Sequence, residues 1–310
     1  MDAAVPTRRA ESPEERAGLL SRLLFLWPSP IFRVASKSSL EHADLWTLPR
    51  TDQAAIVTER FTACWERAEA GVRAERAESP KAAAATPLST QERERVFTRA
   101  MIGFLGPRFW LHAPLVKGLN STLQFAFPVL LSGCVAFIEG SAPLGFLPLT
   151  PAVGFSLCAL LGVLMALKAI AENAYFHLVS RAAWQVRAAV TTAVFSKSLR
   201  LSAAARQQRT LGEMVNLMQL DATKLEGFVM QAHVLWDGIY QIAGYLALLS
   251  TLIGGASAVG LAVMLCMMPV QLRIMKATGV AEGRATTHSD ARVRAVNEAL
   301  QSMASVKMHA

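Results

Sequence analysis

The chain has 310 residues, of which 53% are hydrophobic and only 17% charged, with a formal net charge of +8. A soluble core rarely needs so much apolar surface, and the aromatic residues sit in the apolar stretches rather than among the basic ones, which argues against nucleic acid as a partner. Four cysteines, Cys64, Cys134, Cys158 and Cys266, lack the paired spacing and neighbouring histidines of a metal centre or disulfide frame, so no metal is expected.

Residues 1–17 are charged and carry no apolar run that reads as a cleavable signal. Ser12-Pro-Glu-Glu15 is a capping-box pattern, and Leu19, Leu20, Leu23, Leu24 and Trp27 follow at helical spacing. This predicts a short amphipathic helix, stopped by Pro28 and Pro30, that lies on a bilayer surface or packs on a transmembrane bundle. Residues 1–68 are read as a cytosolic N-terminal segment and 69–90 as a flexible linker, because Ala, Glu, Arg and Pro there offer little surface to offset ordering entropy. Order is expected to resume at Ser89, where Ser89-Thr-Gln-Glu92 forms a second capping box.

Four apolar stretches follow, giving membrane spans at about 109–138, 152–180, 226–253 and 255–276. The connections 139–151 and 251–258 contain no Lys or Arg. By contrast, Arg181, Arg187, Lys197, Arg200, Arg206, Arg209 and Lys224 crowd the segment between the second and third spans, and basic residues flank the first and fourth. By the positive-inside rule the neutral connections are external and both termini cytoplasmic, in a multi-pass membrane protein. Plasma and vacuolar membranes are not distinguished.

The region 181–225 is too long and too helix-prone for a simple loop. The second and third helices are therefore expected to continue beyond the bilayer, turn between 201 and 209, and restart at the capping box Thr210-Leu-Gly-Glu213. Polar residues within spans are costly, about 2.5 to 3.5 kcal/mol for a central Asp. Lys117, Asn120 and Gln124 share one face of the first span, and His233, Asp237 and Gln241 share one face of the third. They are candidates for lining a substrate path; the alternative is that Asp237 simply bonds another helix. Lys168 and Glu172, one turn apart, are expected to pair, and Pro128 and Pro269 to kink their helices.

Several of these motifs resemble subfamily C of the ABC transporters, the branch of multidrug-resistance-associated exporters. Leu23-Leu-Phe-Leu-Trp-Pro-Ser-Pro30 and Leu40-Glu-His-Ala-Asp-Leu-Trp-Thr-Leu-Pro49 are similar to its N-terminal lasso. Tyr175-Phe-His-Leu-Val-Ser-Arg181 and Val186-Arg-Ala-Ala-Val190 resemble its second helix leaving the membrane. Thr210-Leu-Gly-Glu-Met-Val-Asn-Leu-Met218 resembles its first coupling region, while Asp290-Ala-Arg-Val293 and Asn297-Glu298 resemble the start of a fifth helix at 290–310.

The resemblance implies an all-α membrane protein, a partial exporter-type (type-1) transmembrane domain over 91–310 with long intracellular helix extensions. It also implies a coupling role for Thr210, Gly212, Glu213 and Asn216. No Gly-x-x-x-x-Gly-Lys-Ser/Thr phosphate loop occurs in the sequence, so the chain has no ATPase site or other catalytic residues of its own, and ATP and Mg are expected on nucleotide-binding domains outside it. The chain is accordingly expected to be a fragment of an ATP-hydrolysing translocase, the alternative being that it works with separately encoded ATPase subunits. Its implied partners are the lipid bilayer, nucleotide-binding domains, a second transmembrane domain and an amphipathic or conjugated anionic substrate attracted by residues such as Lys117. A channel or channel regulator of the same branch, and a non-transporting helical scaffold, remain alternatives.

Overall fold

The computed structural model describes residues 11–77, 87–202, 211–303 and 307–308. The chain divides into two compact units, Met1–Gln241 and Ile242–Ala310, with the helix Val234–Ile253 running across their boundary.

The N-terminal segment is less regular than its leucine spacing predicts. Pro13–Arg16 forms a 3-10 turn capped by the Ser12 hydroxyl, which accepts from the Glu14 N–H at 3.3 Å. Two short helices follow, α1 (Leu19–Leu23) and α2 (Ser29–Ala35). A single amphipathic helix fails here because Phe25 takes a left-handed conformation, φ 51°, just ahead of the Pro28 and Pro30 pair.

Helix α3 (Ala54–Ala77) then corrects the linker expected from residue 69. Ala, Glu and Arg are strong helix formers, and the small side chains let a second helix approach closely enough that Ala68 and Val72 pack with Val96 and Ala100. Arg73 with Glu69 at 2.5 Å, and Arg99 with Glu75 at 2.7 Å, occupy the outer face. Of the expected linker, 78–86 lies outside the described residues.

Helix α4 (Thr90–Pro107) opens on the capping box as predicted: the Glu92 N–H donates to Ser89 Oγ at 3.3 Å and the Ser89 N–H to Glu92 Oε2 at 2.7 Å. It ends in a sharp bend. Gly106 adopts φ 65°, which glycine alone takes without a Cβ penalty, and a π-helical turn, Arg108–His112, follows Pro107.

Beyond the bend, α5 (Ala113–Ile138) and α6 (Pro151–Leu199) form an antiparallel pair joined by the 3-10 turn Pro143–Gly145. At 49 residues α6 is about 74 Å long, more than twice a hydrocarbon core of about 30 Å, so it must project well past the bilayer. A Cβ on Gly154 of α6 would stand 2.5 Å from the Phe137 ring of α5, so this glycine permits the close helix approach.

The next elements are α7 (Leu211–Asn216), a π-helical turn at Leu217–Asp221, α8 (Ala222–Gln231) and α9 (Val234–Ile253). In the first unit the main core follows one stripe of α6, Tyr175, Val179, Ala183, Val186 and Ala189, which meets Val57 and Phe61 of α3, Phe104 of α4 and Val229 of α8.

In the second unit the end of α9 passes through the 3-10 turn Gly254–Ala256 into α10 (Ser257–Gln301). The sequence reading separated a span at 255–276 from a fifth helix starting at 290. Instead α10 is continuous over 45 residues, because nothing from 276 to 300 interrupts the ladder: no proline occurs, and Gly279 and Gly283 are absorbed within the helix.

Among the described residues three helical stretches are long and apolar enough to cross a membrane: Thr90–Ile138, Pro151–Leu199 and Gly212–Gln301, the last containing both the third and fourth expected spans. Only 11%, 11% and 0% of their apolar windows are buried, so most of these side chains face outward, an arrangement that hydrocarbon stabilises and water does not.

Candidate functional site

Two of the polar stripes read from sequence converge. α5 brings Lys117, Asn120 and Ser121 against His233, Asp237 and Gln241 at the start of α9, while α6 supplies Tyr175. Asp237, the most deeply placed charge, accepts from Ser121 Oγ at one oxygen and from Gln241 Nε2 at 2.7 Å at the other. Lys117 Nζ stands 3.3 Å from that second oxygen and 5.1 Å from the centre of the Tyr175 ring. The side chains of Lys117 and Asp237 are only 13% and 4% exposed, so neither charge is solvated by bulk water and each stabilises the other. Lys117, expected from sequence as a residue that attracts a substrate anion, is thus paired with Asp237.

Aromatic rings wall the cluster. The buried His233 ring lies 4.7 Å from Phe109, 6.4 Å from Trp110 and 6.2 Å from Tyr175, and its Nδ1 accepts from Trp236 Nε1 at 3.3 Å. Nearby, Thr122 and Tyr240 share a 2.9 Å hydrogen bond, and Phe125 stacks on Tyr240 at 5.5 Å. Among the described residues three buried polar atoms have no hydrogen-bond partner, Asn120 Oδ1, the Tyr175 hydroxyl and His233 Nε2, all in this cluster. Such groups are costly to leave unmet.

The cluster lies about 30 Å along α5 from its Ile138 end and about 36 Å along α6 from Pro151, a full hydrocarbon thickness from the turn joining them. Gln124 is half-buried one turn further along α5, and no contact joins it to the cluster among the described residues. Lys168 and Glu172 do not come within ion-pair distance. Of the coupling candidates, Thr210 lies outside the described residues, while Gly212, Glu213 and Asn216 are exposed on α7.

A second constellation was not legible from spacing. Arg181, read from sequence only as an orientation signal, gathers two carboxylates from the N-terminal segment. Its Nη1 donates to Glu14 Oε1 at 2.6 Å, its Nε to Asp52 Oδ1 at 3.0 Å, and its Nη2 reaches Asp52 Oδ2 at 2.8 Å and Thr51 Oγ1 at 3.0 Å. Gln185 Nε2 donates to the same Asp52 at 2.5 Å, and His177 adds contacts to Glu14 at 3.4 Å and to the Phe25 ring at 5.4 Å. The pairs are separated by more than a hundred residues, so no local pattern announces them. The arrangement straps residues 11–52 across α6 just beyond the polar cluster.

Comparison with known proteins fits this architecture. The model of the ABC transporter transmembrane region matches residues 112–310. ABC transporter C family member 8 of Dictyostelium discoideum is 29% identical over 298 residues, covering 96% of this chain and 17% of that protein. Human ATP-binding cassette sub-family C member 4 is 27% identical over 304 residues, 96% of this chain and 21% of its own length. Metal resistance protein YCF1 of Saccharomyces cerevisiae is 25% identical over 320 residues, 98% of this chain and 20% of that protein. The chain thus spans about a fifth of the length of these curated relatives. With residues 112–310 matching that transmembrane module, the chain belongs to the ABC transporter family, and its likeness runs to subfamily C.

Proposed function

We propose that this chain forms membrane-spanning machinery of an ATP-driven exporter for amphipathic or conjugated organic anions, with both termini in the cytoplasm. ATP and Mg act on nucleotide-binding domains, and a second transmembrane domain completes the path. The observation that carries the reading is the polar cluster of Lys117, Asn120, Asp237 and Gln241, walled by Phe109, Trp110 and Tyr175 and set among helices of an ABC transmembrane region. Aromatic faces suit the apolar body of an amphipathic molecule, and the inner polar groups suit its head. The metal resistance in the name of the Saccharomyces cerevisiae relative supports export as the direction of transport.

Gly212, Glu213 and Asn216, exposed on α7, together with Thr210, form the surface that a nucleotide-binding domain grips, and the length of α6 supplies the lever that carries its movement to the membrane. The test is uptake into inside-out vesicles from cells expressing the protein. ATP-dependent accumulation of a fluorescent organic anion against its gradient is expected. Current or flux that dissipates a gradient without ATP would replace the pump with a channel, and no flux of either kind would leave a scaffold.

A further inference from the structure

The cation of the polar cluster already has an anion of its own. Asp237 is not held by Lys117 alone: Ser121 Oγ donates to one of its oxygens and Gln241 Nε2, at 2.7 Å, to the other, so the carboxylate keeps its place if Lys117 turns away. Lys117 is held less firmly. Its ammonium has three N–H donors, yet it meets one carboxylate oxygen at 3.3 Å and otherwise the face of Tyr175 at 5.1 Å. Around this pair, the Tyr175 hydroxyl and Asn120 Oδ1 are buried with hydrogen-bonding capacity unspent.

A ligand's polar head therefore meets a site of zero net charge. An uncharged head can bond to Tyr175 and Asn120 without disturbing the ion pair. An anionic head must instead draw Lys117 from Asp237 and leave a fixed carboxylate nearby, which offsets much of the attraction.

We propose that Asp237 is a specificity-determining residue, a tethered counter-anion that competes with substrate anions for Lys117 and keeps the site tolerant of uncharged amphipathic molecules. The proposal deepens the transport reading and rests on it.

The test is equilibrium binding to the purified chain in phosphatidylcholine nanodiscs, using two fluorescent probes with the same aromatic body, dansyl sulfonate and the uncharged dansyl amide. Wild type should bind both with affinities within about threefold. Asp237→Asn keeps hydrogen-bonding atoms for Ser121 and Gln241 while freeing Lys117, and should tighten sulfonate binding by about tenfold with the amide unchanged. The double variant Lys117→Gln with Asp237→Asn should return the ratio to near one. Lys117→Gln alone should weaken the sulfonate about tenfold and spare the amide, which keeps the proposal testable should Asp237→Asn fail to fold.

A sulfonate-to-amide ratio unmoved by Asp237→Asn overturns the proposal while leaving transport standing. The same holds for unchanged sulfonate binding in Lys117→Gln, or for a wild type that already prefers the sulfonate tenfold. A wild type that binds neither probe overturns both this inference and the assignment of the cluster to the substrate path.

Discussion

Arg181→Ala should release the N-terminal strap without unfolding the helices beneath it. The Arg181 side chain is 29% exposed, and those of Glu14 and Asp52 are 15% and 18% exposed. Exposed ion pairs contribute under about 1 kcal/mol, and removing one partner of a fully buried pair costs about 3 to 5 kcal/mol. A guanidinium forked onto Asp52 and shared with Glu14 at this intermediate exposure is placed at about 2 kcal/mol, with its residual solvent contact already discounted. That corresponds to a shift of about 30-fold in the docked-to-released equilibrium. Limited trypsin digestion reads it directly, because Arg22 in α1 and Arg33 in α2 lie within the strap. When opening is fast relative to cleavage, the rate follows the open population. Cleavage at these two sites should rise about 30-fold, with cleavage within α3 and α4 unchanged, and Arg181→Lys should fall between because an ammonium cannot fork. An unchanged rate in the strap would refute the latch, and an equal rise at all sites would show global destabilisation instead.

Three further outcomes follow from local geometry. Ser89→Ala removes half of a formed capping box and should cost about 1 kcal/mol, seen as faster amide hydrogen exchange in the first turn of α4; unchanged protection there would contradict it. The Arg99 hydrogen bond to Glu75 holds that carboxyl below its ordinary value of 4.5, so its contribution to α3–α4 pairing is present above that pH and is lost as pH falls through the lower folded value. Acid titration followed by the fluorescence of Trp65, an α3 residue that meets Phe97 of α4 edge to face, should show this loosening, and Glu75→Gln should remove it. Gly154→Val sets a branched side chain against the Phe137 ring and should lower stability in detergent by about 1 to 3 kcal/mol, with Phe137→Ala relieving part of the loss in the double variant.

What could be read from the sequence divides along physical lines. The spans, the Ser89 capping box and the stripes Lys117–Asn120 and His233–Asp237–Gln241 depend on periodicity and local hydrogen bonding, which a sequence displays. The partner of Lys117 is not readable in the sequence, because pairing α5 with α9 is a matter of packing across more than a hundred residues; Ser121, adjacent to Asn120 but uncharged, gives no local signal of its bond to Asp237. Tyr175, read from sequence only as part of the second helix's exit from the membrane, is fully buried in the core, a placement that depends on tertiary packing. Reading 69–77 as linker treated low hydrophobicity as disorder, whereas a face of Ala68 and Val72 is enough when the opposing helix presents Val96 and Ala100. The continuity of α10 shows the converse error, in which a family boundary was imposed on a stretch without any chemical stop.

The bend at Gly106 ties this architecture together. Trp110 Nε1 reaches back to the Ile102 carbonyl at 3.2 Å, and Arg60 of α3 donates to the Phe104 carbonyl at 3.3 Å, so acceptors left open by the interrupted ladder are met from two directions. Phe109, three residues beyond the bend, lies 4.7 Å from the His233 ring, so the geometry at Gly106 also positions one of the rings that flank the polar cluster. The joint between α4 and α5 is thus also part of the wall of the polar cluster, so a change at Gly106 reaches the cluster through Phe109.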